Sequence, residues 1–270
     1  MSDNAPANHA PLELTGVGLS RGHKQILDDV SWRIEAGQHW AVVGANGSGK
    51  TTLLRIATGY LWATSGTVRV LGETFGRVDL RALRRRIGWV SSALTDRIPP
   101  SQPAVRIVVS GLSASIGLWR DAPSDEDTRA RSLLEQMGCG EVCDRKFAVL
   151  SAGERQKVLV ARALIAGPEI LILDEACAGL DLPARESLLS AIASPDFHDG
   201  DRTLVFVTHH IEEIPPAISH VLVLQAGKVL AAGAKEDVLT SRLLSAAFDM
   251  PLQVDTHDGR FWARVSGCGR

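Results

Sequence analysis

The chain has 270 residues, of which 45% are hydrophobic and 22% charged, and its formal net charge at pH 7 is −2. This is the composition of an ordinary soluble globular protein, and its near-neutral charge offers no general basic field for nucleic acid or anionic membranes. The first residues lack the basic and apolar regions of a signal peptide, and the most apolar stretch, 104–119, is interrupted by Arg106. Neither a signal peptide nor a membrane span is expected. The four cysteines lack the ligand pattern of a zinc site, which predicts reduced thiols.

Two kinds of strand pattern follow an N-terminal segment, residues 1–11, that we expect to be a flexible tail. Short alternating runs predict an antiparallel sheet; they are LELTGV (12–17), VSWRI (30–34) and TVRVL (67–71). Nearly continuous apolar runs predict a parallel sheet buried on both faces; they are HWAVV (39–43), EILIL (169–173) and TLVFVT (203–208). A later run, VLVLQAGKVLAAG (221–233), predicts a hairpin that turns at Ala226-Gly227.

The sequence pattern changes between about 92 and 150, where prolines interrupt the strand patterns. Two stretches in this region look helical, IVVSGLSASIGL (107–118) and TRARSLLEQMG (128–138). The acidic segment DAPSDED (121–127) between them reads as a loop. We therefore expect a helical insert at about 92–150 within an α/β core.

Residues 44–52 read GANGSGKTT, between the strand-like HWAVV and the helical TTLLRIATG. Glycines in such a loop let the backbone curl so that its N–H groups point at phosphate oxygens. The ammonium of Lys50 would reach the β- and γ-phosphates, and the hydroxyl of Thr51 can ligate Mg²⁺. The predicted nucleotide-binding residues of this loop are Gly44, Ala45, Asn46, Gly47, Ser48, Gly49, Lys50, Thr51 and Thr52.

Two further strands end in groups suited to phosphoryl transfer. ILILDE (170–175) ends in two carboxylates, which strand alternation directs to opposite sides. Asp174 would hold the magnesium ion through a water, and Glu175 would act as general base toward the attacking water. VFVTHH (205–210) places His209 at the carboxyl edge of the sheet, where it would contact the γ-phosphate.

The stretch LSAGERQ (150–156) has no obvious catalytic group, yet Ser151 and Glu154 have the spacing of a capping box. A helix N-terminus that is opened in this way attracts an anion. The phosphate loop already supplies a better cradle for a nucleotide, so this second anion-binding helix end calls for a ligand from elsewhere.

In this order and spacing, together with AGLD at 178–181, these motifs resemble the ATP-binding subunits of ABC (ATP-binding cassette) proteins over about residues 12–235. The resemblance implies an α/β fold with a RecA-like P-loop NTPase core, an N-terminal antiparallel β subdomain and a helical insert. The ATPase domain would span 12–245, and residues 246–270 would form an extension of unassigned role. The resemblance also implies that two subunits sandwich two Mg-ATP head to tail. The residues that would contact the partner subunit or its ATP are Ser151, Ala152, Gly153, Glu154 and Asp181.

Three positions depart from the family pattern. Arg21 stands where an aromatic residue usually stacks on adenine, and a guanidinium can also stack, although a solvated surface charge is the alternative. Ser92 stands where the family has the glutamine that ligates Mg²⁺ and reports to the membrane partner, and a serine hydroxyl can still ligate. His210 replaces the usual aspartate beside the switch histidine. The Ser92 segment also resembles a small bacterial subgroup labelled molybdate- or iron-type.

Three functions are compatible with these motifs. The favoured one is the ATP-hydrolysing subunit of a transporter, acting as a homodimer or heterodimer on a separate transmembrane permease. Such a subunit would be cytoplasmic and peripheral on the inner face of the cell membrane, with ATP and Mg²⁺ as cofactors and no direct contact with nucleic acid. The alternative is a soluble ABC ATPase acting on nucleic acid, ribosomes or regulation. A binding switch without turnover is disfavoured by Glu175. Trp119 could line the groove for the permease, or pack in the core.

Overall fold

The structure is a computed structural model that describes residues 9–95, 97–194, 197 and 202–266, with the side chains of Ser92 and Ala93 outside the description. The strands, in chain order, are β1 Leu12–Arg21, β2 Lys24–Ile34, β3 Trp40–Val43, β4 Ser65–Val70, β5 Glu73–Thr74, β6 Ile87–Ser91, β7 Ile170–Asp174, β8 Thr203–Thr208, β9 His220–Gln225, β10 Lys228–Ala234, β11 Leu252–His257 and β12 Arg260–Val265. The helices are α1 Lys50–Ala57, α2 Leu80–Arg85, α3 Ser92–Thr95, α4 Ala104–Val109, α5 Ser124–Gln136, α6 Ala152–Leu164, α7 Leu182–Ala193, α8 Lys235–Val238 and α9 Ser241–Phe248. Contacts divide the chain into two compact units, one of residues 1–80 and 218–270, the other of residues 81–217.

The first unit contains the antiparallel sheet that the alternating runs predicted. Its strand order is β2-β1-β4-β5, and every neighbouring pair is antiparallel. In the same unit β3 pairs parallel with β9, and β9 pairs antiparallel with β10. The β9–β10 connection turns at Ala226 and Gly227, both with positive φ (47° and 80°), as the sequence predicted. Two positive φ values in a two-residue turn match the twist of a hairpin.

The second unit contains parallel strands in the order β6-β7-β8. The residues of β7 and β8 are buried throughout, which explains their unbroken apolar sequences. Helices α4, α5 and α6 pack against one another in this unit, and α4 and α5 lie within the predicted helical insert. Its limits, about 92–150, stay a prediction. The mixed α/β fold, with an antiparallel sheet and parallel strands, agrees with the predicted fold class.

Two details of the insert were predicted wrongly. The acidic segment 121–127 is not all loop, because α5 begins at Ser124 and carries Asp125, Glu126 and Asp127 in its first turn. Carboxylates there compensate the positive end of the helix dipole, so they favour a helix start. The stretch 107–118 is helical only up to Ser113, since Gly117 has a φ of 78° and residues 114–118 leave the helix.

Membrane-spanning segments were not expected, and in the part of the chain that the structure describes every helix is too short or too polar to cross a bilayer. At the N-terminal end, residues 1–8 of the expected tail lie outside the described residues. Pro11, the last residue assigned to the tail, is tied to the first sheet by its carbonyl, which accepts the Leu71 N–H at 2.9 Å.

Candidate functional site

The phosphate loop connects buried β3 to α1, as its sequence context requires. Gly49 precedes α1 with a φ of 107°, and Gly47 lies exposed with a φ of 81°, so both adopt conformations that glycine tolerates best. A Cβ at Gly44 would clash with the Leu224 carbonyl oxygen and would lie 2.7 Å from Ser48 Oγ. The close approach of these atoms therefore requires glycine at position 44.

Two polar groups of this loop suit an anionic ligand. Lys50 Nζ folds over the loop and donates to the carbonyl oxygens of Gly44 (2.8 Å) and Ala45 (3.2 Å). The hydroxyl of Ser48 is buried and has no hydrogen-bond partner among the described residues. A buried hydroxyl without a partner is unfavourable, and a phosphate oxygen would satisfy it. The residues present thus fit the phosphates of a nucleotide.

Two further positions predicted to contact the nucleotide, Thr51 and Arg21, are exposed. Thr51 lies in the first turn of α1 with an exposed side chain, where its hydroxyl is available to a metal or to water. Arg21 ends β1 opposite Lys24 at an open turn, and its side chain is exposed. This position is compatible both with stacking on a purine and with a solvated charge.

The predicted carboxylates lie at the end of β7 in the second unit, with different surroundings. Asp174 is the last residue of the strand and is buried (5% exposed). Glu175 leaves the strand with a φ of 53°, and its N–H donates to the Val207 carbonyl oxygen on β8 at 2.9 Å. A non-glycine residue with positive φ is strained, and such strain recurs at functional sites. The side chain of Glu175 is half-exposed, as an attacking water would need.

His209 follows β8 and comes close to Glu175. Its Nδ1 lies 3.4 Å from Glu175 Oε1, a separation for an ion pair when the imidazole is protonated. The geometry does not make a hydrogen bond, since Nδ1 is buried without a hydrogen-bond partner in the described part of the chain. The structure therefore brings Glu175 and His209 together within one unit. Lys50, the third residue predicted to be catalytic, belongs to the first unit.

A small polar network behind His209 was not predicted from the sequence. Thr208 Oγ1 donates to Glu213 Oε2 at 2.5 Å and accepts the N–H of His210 at 3.0 Å. His210 Nδ1 lies 3.3 Å from Glu212 Oε1, and its ring centroid lies 4.2 Å from that of His209. Glu213 is buried (6% exposed), and its hydrogen bond with Thr208 helps to fix the backbone that follows β8. A buried side-chain pairing of this kind leaves no periodic signal in the sequence.

The capping box predicted in LSAGERQ is present at the start of α6. Ser151 Oγ accepts the Glu154 N–H at 3.2 Å, and Glu154 Oε2 accepts the Ser151 N–H at 2.7 Å. The hydrogen bond from the Ser151 N–H, aided by Arg145, lowers the pKa of Glu154 below its usual value. Ser151 and Ala152 are exposed, whereas Gly153 is buried. A Cβ at position 153 would lie 2.8 Å from the Ala184 Cβ, so the close packing at this point favours glycine.

Two other predicted site residues, Asp181 and Ser92, lie at the starts of helices. Asp181 is the N-cap of α7, where its Oδ1 accepts the Ala184 N–H at 2.9 Å, and it is exposed. Ser92 begins α3 directly after β6, and its side chain lies outside the described residues. The phosphate loop and Arg21 belong to the first unit, whereas the carboxylates, His209, the α6 N-terminus and Asp181 belong to the second.

A glycine-rich loop between a buried strand and a helix, with lysine at the helix start, defines the class of P-loop nucleoside triphosphatases. Comparison with known proteins narrows that class. The family model described as ABC transporter matches residues 27–178. An uncharacterized ABC transporter ATP-binding protein of Bacillus subtilis, YlmA, is 43% identical over 244 residues, which cover 90% of this chain and 92% of the relative. The chain belongs to the ABC transporter family and is an ABC-type ATPase.

Solved structures show the same fold. CbiO1 from Clostridium perfringens, part of the CbiONQ transporter complex, has a TM-score of 0.75 at 24% identity, covering 88% of this chain and 93% of that chain. The ATP-binding cassette MJ0796, solved as a dimer with ADP and Pi, has a TM-score of 0.70 at 26% identity, covering 83% of this chain and 98% of that chain.

Proposed function

We propose that this chain is the ATP-hydrolysing subunit of a membrane transporter, and that two copies, or one copy and a similar subunit, bind two Mg-ATP head to tail. The observation that carries the proposal is the exposed, capped N-terminus of α6. A helix N-terminus favours an anion, and Ser151 and Ala152 are exposed there, so a phosphate held by a partner subunit would have access to it. The cassette MJ0796, whose structure is a dimer bound to ADP and Pi, supports dimerisation by similarity.

Each site residue then has a role. Lys50 and the N–H groups of the loop hold the β- and γ-phosphates, and Ser48 donates its buried hydroxyl to a phosphate oxygen. Thr51 and Asp174 are the oxygen donors that Mg²⁺ prefers, with Ser92 as a third donor. The bound metal would neutralise charge that develops on the phosphates.

Hydrolysis would be carried out by Glu175 and His209. Glu175 accepts a proton from the attacking water as the water oxygen bonds to the γ-phosphorus. The bond from that phosphorus to the β–γ bridging oxygen breaks at the same time, so that ADP leaves and inorganic phosphate is formed. His209, whose Nδ1 lies 3.4 Å from that carboxylate, would contact the γ-phosphate. From the partner subunit, Ser151 and the α6 N-terminus would stabilise the negative charge on the γ-phosphoryl group that is transferred to water, while Asp181 would lie close to the opposite subunit.

The membrane partner is a separate permease, which would hold the chain at the inner face of the membrane. The helical segment 92–150 is the proposed docking region. Trp119 in this segment is 79% exposed, which excludes the alternative that it packs in the core. A large exposed aromatic side chain is typical of interaction surfaces. Its indole Nε1 donates to the Ile116 carbonyl oxygen at 3.3 Å, which holds the ring in place at the surface.

The experiment is the Glu175→Gln variant with ATP and Mg²⁺, because it keeps the side-chain shape and removes the base. We expect hydrolysis to fall by at least about a hundredfold and an ATP-bound dimer to accumulate in size-exclusion chromatography with light scattering. Glu169→Gln is the matched control, since Glu169 flanks the other end of β7 and pairs with Arg86. A Glu175→Gln protein that stays monomeric with ATP would refute the sandwich.

The permease is tested by capture of tagged Glu175→Gln protein from detergent-solubilised membranes, followed by mass spectrometry. A stoichiometric polytopic partner supports the transporter. Recovery of only a soluble dimer, ribosomes or nucleic acid would instead favour the non-transport ABC ATPase.

A further inference from the structure

The last two strands, β11 and β12, form a separate two-stranded antiparallel sheet after α9. One edge of this hairpin is covered by α9. Ser245 Oγ accepts the Leu252 N–H at 2.8 Å, and Ser241 Oγ accepts the Val254 N–H at 2.9 Å. The backbone groups of Leu252 and Val254 therefore point away from β12 and toward α9.

The pairing of the hairpin fixes which groups point outward on β12. In an antiparallel ladder, two opposite residues direct their backbone groups either both toward each other or both away. Leu252 lies opposite Val265, and Val254 opposite Ala263. Since the β11 members of these pairs point away from β12, Val265 and Ala263 present their own N–H and C=O groups at the outer edge.

The outer edge of β12 has the properties of a pairing surface. Among the described residues no strand is paired with it. Ala263 is exposed, Val265 is 52% exposed and Trp262 is 41% exposed. An uncovered edge with apolar side chains is a template for another strand.

We propose that β12 pairs antiparallel with β12 of a second copy of this chain, which joins two hairpins into a four-stranded sheet. The charges of the strand select one register. Centring the pair on Arg264 sets two arginines directly opposite each other, and centring it on Trp262 sets Arg260 opposite Arg264. Like charges in opposite positions destabilise a sheet.

Centring the pair on Ala263 avoids both conflicts and produces favourable pairs on each face. Phe261 then lies opposite Val265 of the second copy, and Arg264 lies opposite Trp262, so a guanidinium meets an indole. The charge of Arg264 is balanced in its own chain by Asp255, at 3.0 Å. Of these three registers, the one centred on Ala263 is the register that the sequence of β12 favours.

This contact is distinct from the nucleotide sandwich, because the hairpin contains no residue assigned to ATP binding or hydrolysis. Association through β12 is measured on the full chain without nucleotide and in the presence of EDTA, because the nucleotide sandwich cannot form under these conditions. In sedimentation velocity over a concentration series we expect a reversible dimer of the wild-type chain. Ala263→Pro removes an outward N–H that the hairpin itself does not use, so the fold is retained.

We expect Ala263→Pro to weaken this dimer at least about tenfold, because the central reciprocal backbone bonds are lost. Ala263→Ser keeps the N–H and is the matched control, which should dimerise like wild type. At concentrations where the wild-type chain is monomeric, both variants should keep its thermal unfolding, and both should keep its ATP hydrolysis per subunit. Equal association of the proline variant and wild type would overturn the proposal.

A cross-link tests the register directly. Opposite residues of a hydrogen-bonded antiparallel pair have Cα atoms about 5.5 Å apart, within disulfide range. In a Cys268→Ser background, Ala263→Cys should form covalent dimers under mild oxidation much faster than Thr256→Cys, which lies on the other strand of the hairpin. Equal cross-linking of the two variants, or a wild-type chain that stays monomeric at its highest soluble concentration, would show that β12 does not pair with itself.

Discussion

Ser151 has two roles that a single substitution can separate, since it caps α6 and is proposed to contact the γ-phosphate held by the partner. Ser151→Ala removes the hydroxyl that accepts the Glu154 N–H at 3.2 Å but keeps the 2.7 Å bond from the Ser151 N–H to the Glu154 carboxylate. An N-cap serine contributes about 0.5–2 kcal/mol. Because the reciprocal bond survives and water reaches this exposed end, we expect a loss near the lower limit, about 0.5–1 kcal/mol.

Thr240→Ala provides the matched control. Thr240 caps α9, and its Oγ1 accepts the Leu243 N–H at 3.4 Å, far in sequence from every residue assigned to the nucleotide. Both variants should lose similar free energies of unfolding, and a loss of this size leaves a domain of ordinary stability folded. Urea denaturation measures this comparison.

The two variants should differ in turnover. Ser151→Ala should lower the kcat for ATP at least about tenfold by removing one donor to the transition state, while Thr240→Ala stays near wild type. ATP affinity of the monomer, measured with a fluorescent analogue, should be unchanged in both. Equal kcat values would show that the Ser151 hydroxyl serves only as a helix cap and not in turnover. A loss of monomer affinity in Ser151→Ala would show that Ser151 acts within its own subunit.

Other substitutions test the phosphate loop and the capping box. Lys50→Ala should lower ATP affinity at least about tenfold in titration calorimetry, because charge-assisted hydrogen bonds contribute roughly 1.5–3 kcal/mol each; wild-type affinity would place the phosphates elsewhere. Gly44→Ala should lower the free energy of unfolding by about 2–4 kcal/mol through its clash with Leu224. In Gly47→Ala the new Cβ meets nothing within 4 Å, so only the strain of the positive φ remains, which costs about 1–2 kcal/mol. Equal losses of unfolding free energy for Gly44→Ala and Gly47→Ala in urea would contradict this steric account. The pKa of Glu154 is lower in the folded chain, so its stabilisation is complete above its unfolded pKa and is lost as pH falls through the folded value. Unfolding free energies measured from pH 7 to pH 3 should therefore fall more steeply for wild type than for Glu154→Gln, and parallel curves would remove the carboxylate from this role.

The features that the sequence predicted correctly depend on local chemistry. The capping box at Ser151 and the turn at Ala226-Gly227 are each specified within a few residues, and both are present in the structure. The buried parallel strands follow equally well from unbroken apolar runs, because a strand covered on both faces has no polar side to alternate with.

The features that were missed depend on contacts between distant residues or on competing signals. The start of α5 at Ser124 was read as a loop because a run of carboxylates resembles a solvated segment, although the same charges favour a helix N-terminus. The β11–β12 hairpin is largely exposed, which weakens the alternation that identifies a strand. The pairing of Thr208 with Glu213 depends on side-chain placement that no periodicity encodes. The roles of Arg21 and Ser92 also depend on side-chain placement that the sequence does not encode, and they stay predictions.

The left-handed backbone at Glu175 sets stability against activity at one position. Glycine would adopt this φ of 53° without the roughly 1–2 kcal/mol that an L-residue loses there. A screen for thermostable variants would therefore reward Glu175→Gly, the change that discards the proposed base. Selections on this chain for heat resistance alone would enrich proteins that retain nucleotide and no longer turn it over, so an activity selection has to accompany them.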